Sequence, residues 1–153
     1  MIRLIRTSSD DENFIALIKQ LDKYLAEING EEHGFYDQFN KVDKIKNVVL
    51  VYENDQAIGC GCIKQYDFDK MEIKRMYTSP EKRGNGIGTL ILNELEKWAA
   101  ELSFKKCILE TGKQLQDAIS LYEKNGYKLI PNYGQYAGVE NSICFEKVLK
   151  RND

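Results

Sequence analysis

Residues 83–88 read Arg-Gly-Asn-Gly-Ile-Gly, and their place in the chain restricts the fold more than any other feature. An apolar-rich extended run (71–78) precedes them, and an amphipathic helical run (87–102) follows. Glycines at 84, 86 and 88 let the backbone turn sharply and approach a ligand closely, and the first amides of the following helix then face that ligand. Strand, glycine turn and helix together predict an anion cradle, with phosphate or pyrophosphate as its guest.

Two familiar phosphate loops do not fit. A P-loop needs Gly-Lys-Ser/Thr at its end, and Gly88 is followed directly by Thr89. A dinucleotide fingerprint needs a glycine three residues after its second, and those places hold Thr89 or Ile91. That fold also repeats β-α-β units, whereas hairpin strands precede this turn.

The rest of the chain supplies the surroundings. Ile2 to Arg6 alternates like a strand, and Ser9-Asp10-Asp11-Glu12 offers a Ser-x-x-Glu capping box for a helix. Phe14, Leu17, Ile18, Leu21, Leu25 and Ile28 recur at helical spacing, and Asn29-Gly30 predicts the stop. Residues 31–46 are less regular and are expected to hold a second short helix. Residues 47–53, 57–66 and 70–78 read as an antiparallel meander, joined at Asn54-Asp55 and at 67–69. In the third of these strands Met71 and Ile73 share a face while Met76 falls on the other. A bulge at Lys74 or Arg75 would repair the slip; burial of both faces is the alternative.

After the turn, Ile87, Leu90, Ile91, Leu95, Trp98 and Leu102 form one helical stripe. Residues 105–111 predict a strand, 114–125 a helix stopped by Gly126, and 127–130 and 142–148 the last two strands. A chain of 153 residues, 42% hydrophobic, is expected to form one domain spanning 1–153. Its net charge of −2 provides no field to gather nucleic acid or an anionic membrane. With no apolar run of membrane-spanning length, the expectation is a soluble, cytoplasmic protein. Cys60, Cys62, Cys107 and Cys144 lie in apolar strand-like segments without a C-x-x-C pair, so they read as buried hydrophobes, and no metal site is expected.

The turn Arg83 to Gly88 closely resembles the R-x-x-G-x-G turn of the GNAT N-acetyltransferase family. Upstream, Met71-Glu72-Ile73-Lys74-Arg75-Met76-Tyr77-Thr78-Ser79-Pro80 resembles that family's fourth strand. Downstream, Ala118-Ile119-Ser120-Leu121-Tyr122-Glu123-Lys124-Asn125-Gly126-Tyr127 resembles the helix and strand that close its site. The likeness covers roughly 47–148. It implies an α+β fold: a mostly antiparallel mixed sheet of about seven strands with about four helices, splayed between strands four and five. It implies an enzyme, an acyltransferase passing acetyl from acetyl-coenzyme A to an amine by direct attack through a tetrahedral intermediate, with no metal.

By the same resemblance the amides of Arg83, Gly84, Asn85, Gly86, Ile87 and Gly88 hold the coenzyme pyrophosphate, with Thr89 adding a hydroxyl. Met76, Tyr77 and Thr78 line the pantetheine arm. Tyr122 matches the family tyrosine that reaches the coenzyme sulfur and is the expected acid. Many members carry an asparagine where this chain has Leu115, so that contact falls to Gln114 or Gln116 or is absent. A lysine-like amine costs about 4.6 kcal/mol to neutralise at pH 7 and an α-amine about 1, so the acceptor decides how much base is needed. Glu72 is the expected base, acting through water, and Glu110 is the competing carboxylate.

The segments that set specificity in the family match least here. They present His33, Phe35, Tyr36, Gln38 and Asn40 on one side, and Tyr133, Gln135, Tyr136 and Asn141 on the other. Aromatics with a few amides suit a small amine metabolite, such as an amino acid. Protein acetylation, at an N-terminus or a lysine, and a non-catalytic acetyl-coenzyme A sensing module are the alternatives. A homodimer is expected from the resemblance alone.

Overall fold

The computed structural model describes residues 1–30 and 44–150. Seven strands form a mixed sheet in the order β1-β2-β3-β4-β5-β7-β6. They are β1 Ile2–Thr7, β2 Asn47–Glu53, β3 Gln56–Gln65, β4 Lys70–Thr78, β5 Lys106–Gly112, β6 Lys128–Ile130 and β7 Ser142–Val148. Among the described residues there are three α-helices, α1 Glu12–Asn29, α2 Ile87–Glu101 and α3 Gln116–Lys124. The second helix expected within 31–46 falls mainly on residues outside those described. No described helix is long and apolar enough to cross a membrane.

The chain divides into two compact units, Met1–Lys64 with Lys74–Leu95, and Gln65–Ile73 with Glu96–Asp153. In the first, β1 and β3 both pair antiparallel with β2. Every residue from Val48 to Tyr52 is buried, because both faces of β2 are covered. On one face, Phe14, Leu17 and Leu21 of α1 pack against Val48, Leu50, Tyr52, Cys60, Cys62 and Tyr77. Each such aliphatic or aromatic side chain contributes about 1.5–3 kcal/mol on burial. On the other face, Gly59 and Gly61 admit Ile87, Ile91 and Leu95 of α2 so closely that a Cβ at Gly61 would lie 2.5 Å from Met76 Sδ.

Two expectations about helix ends change. The N-cap of α1 is Asp11, whose carboxylate accepts from the amides of Asn13 (2.8 Å) and Phe14 (3.3 Å). Ser9 is not the cap, because its hydroxyl accepts from Ile45 N–H at 2.9 Å. The buried stripe of α2 runs through Ile87, Ile91, Leu92, Leu95 and Ala99, and Leu102 lies exposed past the helix end. Gly30 stops α1 with φ +53, as its position predicts.

The phase slip in β4 is resolved by Arg75, which takes φ +60 inside the strand. Beyond it, Arg75 and Tyr77 turn toward α1, bonding to Asp22 (2.6 Å) and Gln20 (3.3 Å), while Met76 faces Gly61. The thiols of Cys62 and Cys60 donate to the carbonyls of Lys74 (3.2 Å) and Arg75 (3.5 Å) at this kink. All four cysteines are buried free thiols.

In the second unit β4 pairs parallel with β5 over three residue pairs, from Lys70↔Lys106 to Glu72↔Ile108. Strand β5 pairs antiparallel with β7, and β7 with β6. Residues paired across a ladder share a face. Glu72, Ile108, Glu110, Cys144 and Ser142 therefore lie on one side, and Met71, Cys107, Leu109 and Phe145 on the other.

Candidate active site

The glycine turn lies in the first unit. After the 3-10 turn Pro80–Lys82, Gly84 and Gly86 adopt φ +82 and +78, conformations that L side chains rarely take. A Cβ at either would meet nothing within 4 Å, so both glycines face open space. Asn85 Nδ2 donates to Lys82 O (3.1 Å), and Arg83 Nε donates to Thr78 O (3.1 Å). The Arg83 guanidinium also stacks over Tyr24 (5.1 Å) and Tyr77 (5.7 Å). Lys82 pairs with Glu53.

Directly after the turn, α2 begins with Ile87 and has no acidic residue in its first turn. The first amides of a helix lack intrahelical acceptors, and the dipole there favours an anion. Ile87 buries its side chain against Gly59, so toward the turn it offers its backbone. The Tyr77 ring is likewise committed to the core, and burial raises its phenol above the ordinary value.

The second unit brings together the carboxylates and phenols. Glu72 is 8% exposed, and its Oε2 accepts from Tyr133 Oη at 2.6 Å. Tyr133 comes from the segment between β6 and β7, and its ring meets Tyr66 (5.1 Å, interplanar 76°) and Tyr136 (5.9 Å, 88°) edge to face. Glu110 shares the face of Glu72 and accepts from Ser142 Oγ at 2.7 Å. Burial and the charge of Glu72 both push the Tyr133 phenol far up; Tyr136 is raised by burial, then by Glu110 and Glu72. Burial likewise lifts the Cys144 thiol to about 11.

Tyr122 projects from α3 and is buried beside this sheet. Its ring lies 5.8 Å from Tyr127 and 6.3 Å from Phe145, and burial, with a further contribution from Glu110, raises its phenol well above the ordinary value. Tyr127 Oη donates to Glu96 at 2.9 Å. Beside α3, Leu115 precedes the helix without a side-chain cap, and Gln116 spends its amide on Lys113 O at 2.7 Å. Gln114 lies against Gly112.

Of the residues singled out from the sequence, Glu72, Glu110, Tyr133 and Tyr136 gather in one cluster of the second unit. His33, Phe35, Tyr36, Gln38 and Asn40 lie outside the described residues. Sequence reasoning missed Tyr66 and Ser142 in this cluster, and Tyr24 beside Arg83. An aromatic closing the β3–β4 hairpin was the available signal for Tyr66.

The profile of the Acetyltransferase (GNAT) family matches residues 13–127. An IAA acetyltransferase of Azospirillum brasilense is 29% identical over 150 residues, spanning 97% of this chain and 98% of that protein. A crystal structure from Klebsiella pneumoniae, described as an acyl-CoA N-acyltransferase, superposes with TM-score 0.82 at 28% identity, covering 98% and 99% of the two chains. A GNAT family acetyltransferase of Elizabethkingia anophelis, crystallised with acetyl-CoA, shares the fold with TM-score 0.69 at 20% identity, over 97% and 98% of the chains.

Proposed function

The chain belongs to the acetyltransferase (GNAT) family and is an acyltransferase, and from that premise we propose that it passes acetyl from acetyl-coenzyme A to the primary amine of a small metabolite, such as an amino acid. When bound, the coenzyme supplies an acetyl group already activated as a thioester. The turn 83–88 fits a pyrophosphate: two left-handed glycines open to solvent and an acid-free helix start leave backbone amides as its donors. Met76, Tyr77 and Thr78 contribute main chain to the pantetheine arm, and Thr89 a hydroxyl to the phosphates.

Glu72 is the base that removes the proton from the incoming ammonium, directly or through a water, with Glu110 as the neighbouring carboxylate. Tyr122 is the donor to the departing sulfur. In water, passing a phenol proton to a thiolate is uphill by about 2 kcal/mol. Burial keeps the phenol protonated, which supports a hydrogen bond from Tyr122 to the developing thiolate, alone or with concerted donation. The observation that carries the acceptor class is the aromatic wall beside Glu72. Tyr133 and the 2%-exposed Tyr136 crowd this carboxylate and favour a compact amine over an extended peptide.

The test is thiol release from acetyl-coenzyme A with a panel of amino acids, small primary amines and peptides bearing a free α-amine or lysine. Small amines are expected to show kcat/KM at least about tenfold above the peptides. The reverse order assigns protein acetylation, and tight coenzyme binding without turnover on any amine assigns a sensing module. Tyr122→Phe is expected to lower kcat about 10- to 100-fold, the worth of one hydrogen bond to a charged atom. An unchanged kcat would remove Tyr122 from the reaction.

A further inference from the structure

We propose that Tyr133 is a positioning residue that holds the Glu72 carboxylate in its working orientation, rather than a residue that binds the acceptor. The inference rests on Glu72 being the base. A phenol donating to a carboxylate oxygen at 2.6 Å forms a short, charge-assisted hydrogen bond. It occupies Oε2 and sets the plane of the carboxylate.

Tyr133 is itself built in from several directions. Its ring is fenced edge-on by Tyr66 and Tyr136. Its carbonyl accepts from Tyr136 N–H at 2.9 Å, and its backbone hydrogen-bonds the Cys144 thiol. The next residue, Gly134, has φ +52, and a Cβ there would stand 3.0 Å from Tyr66 Oη. A ring fixed this firmly has one polar atom, and that atom points at Glu72. The titratable groups that meet at this corner are Tyr133, Tyr136, Cys144, Glu110 and Glu72. Among them the Tyr133 phenol, raised by burial and by the carboxylate beside it, stays a donor throughout the neutral range.

A double-mutant cycle decides the matter, using thiol release from acetyl-coenzyme A with the best amine of the panel. Tyr133→Phe is expected to lower kcat about tenfold while KM for the amine stays within about twofold. Added to Glu72→Gln, the same substitution is expected to change nothing further, because the group it serves is gone. A rise in KM with kcat retained would make Tyr133 a substrate-binding residue. An equal fall of kcat in both backgrounds would show that it acts independently of Glu72, and either result overturns the inference. Parental turnover in Glu72→Gln alone would instead overturn the base assignment, a failure distinguishable from the other two.

Discussion

Gly86→Ala and Gly61→Ala are opposite experiments on the same unit, and comparing them tests what the glycine turn is for. At Gly86 the backbone has φ +78 and a Cβ would meet nothing within 4 Å. The only folding cost is an L residue in left-handed backbone, about 1–2 kcal/mol. In a chain of this size that lowers Tm by about 2–8 °C. The methyl group, however, projects into the space from which an anion would reach the turn, and strain there misaims the neighbouring amides. Losing one amide hydrogen bond to a charged phosphate costs about 1.5–3 kcal/mol, so Kd for coenzyme A should rise about 10- to 150-fold.

At Gly61 the balance reverses. A Cβ would sit 2.5 Å from Met76 Sδ and 2.8 Å from Ile91 Cγ2, which overpacks the core by about 1–3 kcal/mol, and its nearest neighbours include no residue of the turn. Thermal unfolding and calorimetric titration with coenzyme A read both quantities on the same samples. If Gly86→Ala binds coenzyme A like the parent, the turn is a structural connection only and its assignment as the phosphate site is wrong. If Gly61→Ala loses affinity as strongly as Gly86→Ala, the loss reflects general loosening rather than the turn.

Stability should fall with alkali. Cys144 and Cys107 are raised from an ordinary value of 9.0 to about 11 and about 12. Between pH 9 and 11 the unfolded thiols therefore release protons that the folded thiols keep, and each such group removes up to about 1.4 kcal/mol per pH unit. Urea unfolding from pH 7 to 10.5 should show a midpoint that is flat to about pH 8.5 and then declines. A flat curve throughout would mean that these thiols ionise in the folded protein as they do in water. Gly134→Ala should push Tyr66 off Tyr133 and lower kcat several-fold while Kd for coenzyme A stays unchanged. A binding defect of equal size would contradict that separation.

Much of the architecture was legible because it is local. Period-two and period-3.6 patterns located β2, β4, β7 and α2 to within about a residue at each end, and Gly30 and Gly126 marked helix ends through the left-handed turns they permit. Even the kink at Arg75 was visible as a slip in the apolar phase of one strand. Where a residue had two possible partners, sequence reasoning chose wrongly: Ser9 looked like the α1 cap, but its hydroxyl is taken by Ile45, distant in the chain, and Asp11 caps instead.

The sequence by itself determined the turn and its flanking strand and helix, since these follow from residue type and spacing, while the phenol and carboxylates were singled out through the family resemblance. Only the tertiary structure decided how those groups meet. The three-pair parallel ladder between β4 and β5 places Glu72 and Glu110 on one face, while the packing of α3 sets the Tyr122 ring against Tyr127 and Phe145. The bond from Tyr133 to Glu72 joins residues 61 apart in the chain. Spacing carries no information about such a pair, because strand register and the fold of the 131–141 segment set it, and both are products of packing over the whole second unit.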